Sequence, residues 1–231
     1  VGRMPATQKE IRAEIAAYKA LFAGQEIEWE GRPVKPLRFP RKVPIYYSAF
    51  GPKAIELAGE QADGVVLFAG DQDLAGLEKR IGTMRDAATR AGRNADDIDI
   101  WVTSYISVRP TRQQAIDDLK AFIAVNAMAI RTPETLANLP PNVRPLIEAF
   151  QTRYDPTEHV VVGGKNEKLM EEMGLTEFLQ DIDTIAGPEE HVSDIMSKME
   201  AMGVSTLIAA LPGHSDPLVT IRGLASARKG L

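Results

Sequence analysis

Ile45 to Leu67 reads IYYSAFGPKAIELAGEQADGVVL, and this stretch decides the fold. Ile45, Tyr46 and Tyr47 favour a strand, and the run stops at Ser48-Ala49-Phe50-Gly51. Pro52 then stands where a first helical residue is favoured, because its missing N–H would have no partner there in any case. Ile55, Ala58, Glu60 and Ala62 continue at helical spacing. Asp63-Gly64 ends the helix before a second apolar strand, Val65-Val66-Leu67-Phe68. A strand that enters a helix through small residues leaves backbone N–H groups free at the helix start, where they and the helix dipole favour an anion, most often a phosphate. Two readings stand on this pattern: a phosphate cradle, or a plain strand–turn–helix unit that binds nothing.

The same alternation continues outward. Thr7 and Glu10 form a capping box before Ile11, Ile15, Tyr18 and Phe22, and Gly24 ends that helix. A proline-containing loop follows over residues 25–43, with room for a short hairpin around Gly31. Leu74, Leu77, Ile81, Met84 and Ala88 mark a second amphipathic helix, stopped by Gly92. Residues 98–108 are β-rich, and Thr111 caps a helix carrying Ala115, Leu119, Phe122 and Ile123. Residues 131–183 read as irregular and helical, broken by five prolines. Pro188 opens a helix with Val192, Ile195, Met199 and Met202, and residues 204–211 form an apolar strand. Pro217 begins a last helix with Val219, Ile221 and Leu224 facing inward. Four strands, at 44–49, 64–68, 98–108 and 204–211, separated by helices and nearly all apolar, imply a parallel sheet covered on both faces.

The wording of the opening stretch resembles the fifth strand and following helix of the bacterial luciferase-like family. Within that family it is most similar to the deazaflavin-dependent branch that includes methylenetetrahydromethanopterin reductase. The residues that carry the resemblance are Ala49, Gly51, Pro52, Lys53, Ala58, Gly59, Glu60, Ala62, Asp63 and Gly64, supported by residues 1–7, by Ala186-Gly187-Pro188-Glu189-Glu190 and by Met202-Gly203-Val204. It implies an α/β fold, a (β/α)8 TIM barrel of which about the last four β/α units lie in this chain. The expectation is a single α/β domain over 1–231 with an insertion at 127–186, read as the C-terminal portion of a longer enzyme. A short protein with an open four-stranded sheet is the alternative.

The resemblance implies an oxidoreductase. Hydride chemistry would belong to a deazaflavin coenzyme of the 8-hydroxy-5-deazaflavin type, or an FMN monooxygenase would use oxygen. Ala49, Phe50, Gly51 and Pro52 are the implied cofactor-binding residues, with their backbone at the phosphate. Catalytic residues stay unassigned, since in this family the ring contacts come largely from the first four strands. The rival readings are a non-catalytic homologue or partner subunit, and an unrelated barrel that binds a sugar phosphate.

Composition narrows the partners. The chain has 231 residues, 44% hydrophobic, with 27 basic and 32 acidic residues and a net charge of −5. The basic residues are interleaved with acids, so no nucleic-acid partner is expected. No apolar run approaches the roughly 20 residues needed to cross a bilayer, so no membrane partner is expected either. Cysteine is absent, which removes disulfides, thiolate nucleophiles and thiolate metal ligands. With no secretory start pattern, this sets the expectation of a cytoplasmic protein. The expected partners are a small-molecule substrate and further copies of the chain, in a homo-oligomer that covers apolar strand edges.

In a parallel barrel, function gathers at the carboxyl ends of the strands. Four such places exist here. At 48–53, Lys53 adds charge to the phosphate turn or is a solvated helix residue. At 68–71, Asp71 reads as the N-cap of the next helix rather than a catalyst. Arg109 reads as an anion ligand or as a surface residue. His214 and Asp216 reach a pocket or simply build a turn. His159 lies in the insertion, Gly163-Gly164-Lys165 lacks P-loop spacing, and His191 reads as a structural residue on an exposed helix face. No metal-ligand motif or G-x-S-x-G elbow occurs.

Overall fold

The computed structural model describes residues 6–36, 38–130, 139–211 and 216–229. The chain divides into two compact units. The first contains described residues within 1–67, 76–102 and 204–206; the second contains described residues within 68–75, 103–203 and 207–231.

In the first unit, Thr7 caps helix α1 (Gln8–Phe22) with the expected capping box, and Gly24 follows it at φ 84°. The hairpin around Gly31 is present as antiparallel β1 (Ile27–Trp29) and β2 (Arg32–Val34). Strand β3 (Tyr46–Ser48) pairs in parallel with β4 (Gly64–Phe68), and α2 (Pro52–Gln61) connects them with Pro52 at its first position. Helix α3 (Leu74–Arg90) buries Leu77, Ile81, Met84, Ala87 and Ala88. Strand β5 (Asp99–Val108) starts in this unit and continues into the second.

Much of the family-like wording in this unit builds packing. A Cβ on Gly59 would lie 2.2 Å from the Met84 carbonyl oxygen, so the bare glycine sets how closely α2 and α3 approach. A Cβ on Gly64 would lie 2.2 Å from the Tyr46 ring. Asp63 accepts the Ile45 N–H and the Lys19 ammonium, each at 2.9 Å. Burial by itself would raise the Asp63 pKa, but these donors and the nearby Arg93 outweigh it and hold it below the ordinary value. Arg93 also donates to the Gly59 and Ala62 carbonyls at the end of α2, both at 2.6 Å.

At the amino ends of the strands, the Asp99 carboxylate accepts from Tyr46 Oη, Trp101 Nε1 and Ser205 Oγ. Burial would raise its pKa, and these three hydrogen bonds together with the Ile100 backbone N–H outweigh that and lower it. The hydrogen bond to Asp99 pushes the Tyr46 phenol up to about 12. The Tyr46 and Trp101 rings lie 4.4 Å apart.

The second unit holds the later half of β5, helix α4 (Arg112–Ala129), α5 (Arg144–Arg153), α6 (Lys165–Glu172) and the short α7 (Thr176–Leu179). Strand β6 (Thr184–Gly187), α8 (Glu189–Ala201), most of β7 (Thr206–Ala210) and α9 (Pro217–Lys229) complete it. Strand β6 is a fifth strand of the sheet, parallel to β5, and its first three residues fall inside the stretch read as an insertion. It pairs with β5 from Tyr105↔Thr184 to Val108↔Gly187 and is fully buried. Its four residues are too few to show a period and end in Gly-Pro, a turn signal, which is why the sequence pattern passes over it. Residues 139–183 are helical in part, as their pattern suggests, and they also build a core: Phe150, Ile147, Met170, Leu175 and Leu179 pack with Ile116, Leu119 and Ile123.

Two further expectations change. The expected covering of both faces holds for β4 and β6, whereas β3 and β7, each with one strand neighbour among the described residues, are mostly half-buried. On α9 the buried positions are Thr220, Gly223 and Ala227, while Val219 and Ile221 point to solvent. A Cβ on Gly223 would sit 2.6 Å from Val108, so this helix packs by its small residues, and closeness selects that face over hydrophobicity.

Candidate functional site

Two places at the carboxyl ends of strands carry usable chemistry. The first is Ala49–Pro52, in the first unit. Ala49 is 1% exposed, and its N–H donates to the Val66 carbonyl at 3.0 Å, one step beyond β3. Phe50 is 70% exposed. Gly51 is extended (φ −100°, ψ 162°) and caps α2 without a side-chain bond. The space where a Gly51 Cβ would stand is open to 4 Å. Pro52 has no N–H, and the Ala54 and Ile55 N–H groups both bond to the Gly51 carbonyl at 3.0 Å. Donors for an anion are therefore the Gly51 and Lys53 N–H groups, for which no hydrogen bond occurs among the described residues. A small anion with close backbone approach fits this turn.

The second place, in the second unit, is the 68–71 turn, where the sequence suggests a helix cap and does not reveal the partners of Asp71. Asp71 follows β4 and is not a helix cap, because α3 begins only at Leu74. Its backbone N–H bonds to the Thr184 carbonyl at 2.8 Å, beside Gly70, where a Cβ would clash with Thr184 N at 2.6 Å. These two contacts turn the Asp71 side chain inward, where it is 0% exposed. Its Oδ2 accepts from Arg112 Nη1 at 2.7 Å and lies 2.9 Å from His191 Nε2. Its Oδ1 is buried with no hydrogen-bond partner among the described residues. Arg112, the first residue of α4, also donates to the Ala186 carbonyl at 2.9 Å and to the Asp181 carboxylate. Burial works against the Arg112 charge, but Asp71 and Asp181 outweigh it and raise its pKa. His191 stands in the first turn of α8, so an acid, a cation and an imidazole from three segments meet beside the end of β6.

The other sequence candidates separate. Arg109 is clamped by Asp118 at 2.6 and 3.3 Å, and Ser107 Oγ donates to the same carboxylate at 2.7 Å. That engages Arg109 within the protein, with a pKa raised chiefly by the Asp118 hydrogen bond. His159 Nδ1 lies 2.7 Å from Tyr154 Oη. Lys165 pairs with Asp155 and Glu158. Asp216 Oδ1 accepts the Leu218 N–H at 2.9 Å, a turn role. His214 lies outside the described residues. Among the described residues no cluster of acids and histidines is suited to a metal ion, and no helix is long and apolar enough to cross a membrane.

The chain resembles known proteins in sequence and in fold. The chain is 31% identical over 170 residues to an F420-dependent glucose-6-phosphate dehydrogenase of Microbacterium testaceum, covering 68% of the chain and 50% of that protein. It is 26% identical to a 5,10-methylenetetrahydromethanopterin reductase of Archaeoglobus fulgidus, covering 93% of the chain and 63% of the relative. The coenzyme F420 dependent tetrahydromethanopterin reductase of Methanopyrus kandleri superposes with a TM-score of 0.62 at 21% identity, over 96% of this chain and 63% of that one. The long-chain alkane monooxygenase structure superposes with a TM-score of 0.59 at 15% identity, over 100% of this chain and 59% of that one. The α/β fold of the luciferase-like TIM-barrel type expected from the sequence is the fold of these structures. The chain spans about half the length of the curated relatives it matches first. With residues 5–206 matched, the chain belongs to the luciferase-like monooxygenase family.

Proposed function

We propose that this chain is part of an oxidoreductase that moves hydride between a small-molecule substrate and a deazaflavin coenzyme. The observation that carries the reading is the Ala49–Pro52 turn, with open space at Gly51 and two N–H groups at the start of a ten-residue helix. Deazaflavin is favoured over FMN by the F420 dependence carried in the names of the Microbacterium testaceum dehydrogenase and of the Methanopyrus kandleri reductase.

A bound deazaflavin supplies two-electron hydride chemistry, and FMN would add reaction with oxygen. The chain's own part is binding. Ala49, tied to β4 by its bond to the Val66 carbonyl, fixes the turn. Gly51 leaves room for the phosphate, and the Gly51 and Lys53 N–H groups with the α2 dipole hold its charge. Pro52 contributes a rigid φ that presets this shape. The reading includes self-association into a homo-oligomer, since the half-buried strands β3 and β7 leave edges to cover.

Absorbance titration of the chain with oxidised deazaflavin and with FMN tests it. Stoichiometric binding of deazaflavin, followed by its bleaching on addition of glucose 6-phosphate, is the expected result. Binding of FMN alone, with oxygen uptake, would move the assignment to a monooxygenase. No binding of either would leave a non-catalytic homologue.

A further inference from the structure

Gly187 ends β6 at φ 151°, and a Cβ there would stand 3.3 Å from His191 Cδ2. The Cδ2–Nε2 edge of the imidazole is thus the packed edge, against Gly187 and the Asp71 carboxylate. The opposite edge carries Nδ1, for which no hydrogen bond occurs among the described residues, and the side chain keeps 36% exposure. An ionised carboxylate only accepts, so Asp71 requires the proton of the neutral ring on Nε2 and leaves the lone pair on Nδ1. Arg112 neutralises Asp71 in the resting arrangement. The bare Oδ1 means that this carboxylate has acceptor capacity unused by the described residues. A base, oriented by a buried acid that is itself held by a third group, is the arrangement that proton transfer needs.

We propose that Asp71, Arg112 and His191 form a proton-exchange site beside the carboxyl end of β6, with His191 Nδ1 offered to a hydroxyl-bearing small molecule. The ligand O–H bond breaks, its electron pair stays on oxygen, and the proton forms an N–H bond at Nδ1. The imidazolium charge is balanced by Asp71, with Arg112 and Asp181 fixing that carboxylate's surroundings. The helix of His191 also carries Glu189 and Glu190 in the same turn and Asp194 three residues on, the spacing that shares a helix face with His191. The proposal deepens the oxidoreductase reading and rests on it for the identity of the ligand.

Acylation by diethyl pyrocarbonate, mapped by peptide mass, tests it on the full chain, which has three histidines. His191 is expected to react, and oxidised deazaflavin with glucose 6-phosphate at ten times their Kd should slow that reaction about tenfold. His159, engaged by Tyr154, should keep its rate. His191 that fails to react, or that reacts equally with and without the ligands, overturns the proposal. His191→Gln separates proton exchange from a structural tether, because the amide N–H can replace Nε2–H toward Asp71. Its thermal midpoint should hold while kcat for glucose 6-phosphate falls about 100-fold or more with little change in KM. A variant with unchanged kcat would leave only the tether. If the chain does not turn over, the acylation result decides. Deazaflavin absorbance on the same sample separates the two ideas. Lack of binding removes the oxidoreductase reading, and acylation is then read with glucose 6-phosphate alone. Binding without protection of His191 removes this inference only.

Discussion

Asp71 and His191 are 120 positions apart in sequence, and their side chains meet at 2.9 Å. The contact forms because Gly70 lets the β4 exit press against Thr184, and because α8 starts immediately after β6. The same carboxylate holds Arg112, so three segments of the second unit depend on one buried charge.

Arg112→Met should therefore destabilise the protein. It leaves a buried carboxylate with only His191 beside it. Breaking a fully buried pair costs about 3–5 kcal/mol, and the partial exposure of Arg112 reduces the expectation to about 2–3 kcal/mol. Urea unfolding measures it, and a loss below about 0.5 kcal/mol, the size of an ordinary surface change, would show that the network holds little together.

Two glycines of the deciding stretch should behave oppositely. Gly59→Ala forces a methyl against Met84 O and should cost about 1–3 kcal/mol. Gly51→Ala meets open space and should cost at most about 1 kcal/mol through poorer helix capping. The same Gly51→Ala methyl would enter the proposed phosphate position, so deazaflavin affinity should drop with little loss of thermal midpoint. Unchanged affinity would remove this turn from the cofactor site.

The Asp99–Tyr46 pair sets a stability window. The folded pKa of Asp99 is depressed, so its contribution is complete above its unfolded value of about 4 and is lost as pH falls through the folded value. The folded pKa of Tyr46 is raised to about 12, so its contribution is complete below its unfolded value of about 10 and is lost as pH rises toward 12. Thermal midpoints recorded across pH should fall at both ends. Tyr46→Phe should flatten the alkaline fall relative to the parent. An identical slope in the variant would contradict the bond to Asp99.

Phe150 tests whether residues 139–183 are core or appendage. It is fully buried among α4, α5 and α6 side chains. Phe150→Ala should cost about 3–5 kcal/mol. Retention of full stability in a thermal melt would mean that this stretch unfolds separately from the transition observed.

Features set by near neighbours are legible in the residues themselves. Thr7 with Glu10, Pro52 at a helix start and the apolar periods of α2, α3 and α8 are interactions within one or two helical turns, so their spacing is visible in the text. The resemblance around Ala49–Gly64 is legible for the same reason, although Gly59, Asp63 and Gly64 turn out to serve packing. The remaining features come from contacts between segments distant in the chain. Strand β6 has four residues and exists because β5 offers it a ladder. The buried face of α9 is chosen by the close approach of Val108 to Gly223. Asp71 reads as a cap and His191 as a structural residue on an exposed helix face until folding brings Arg112 and His191 to one oxygen of the buried Asp71 carboxylate. A side chain's chemistry is set by what burial and distant charges bring to it, and sequence spacing does not record contacts across 120 residues.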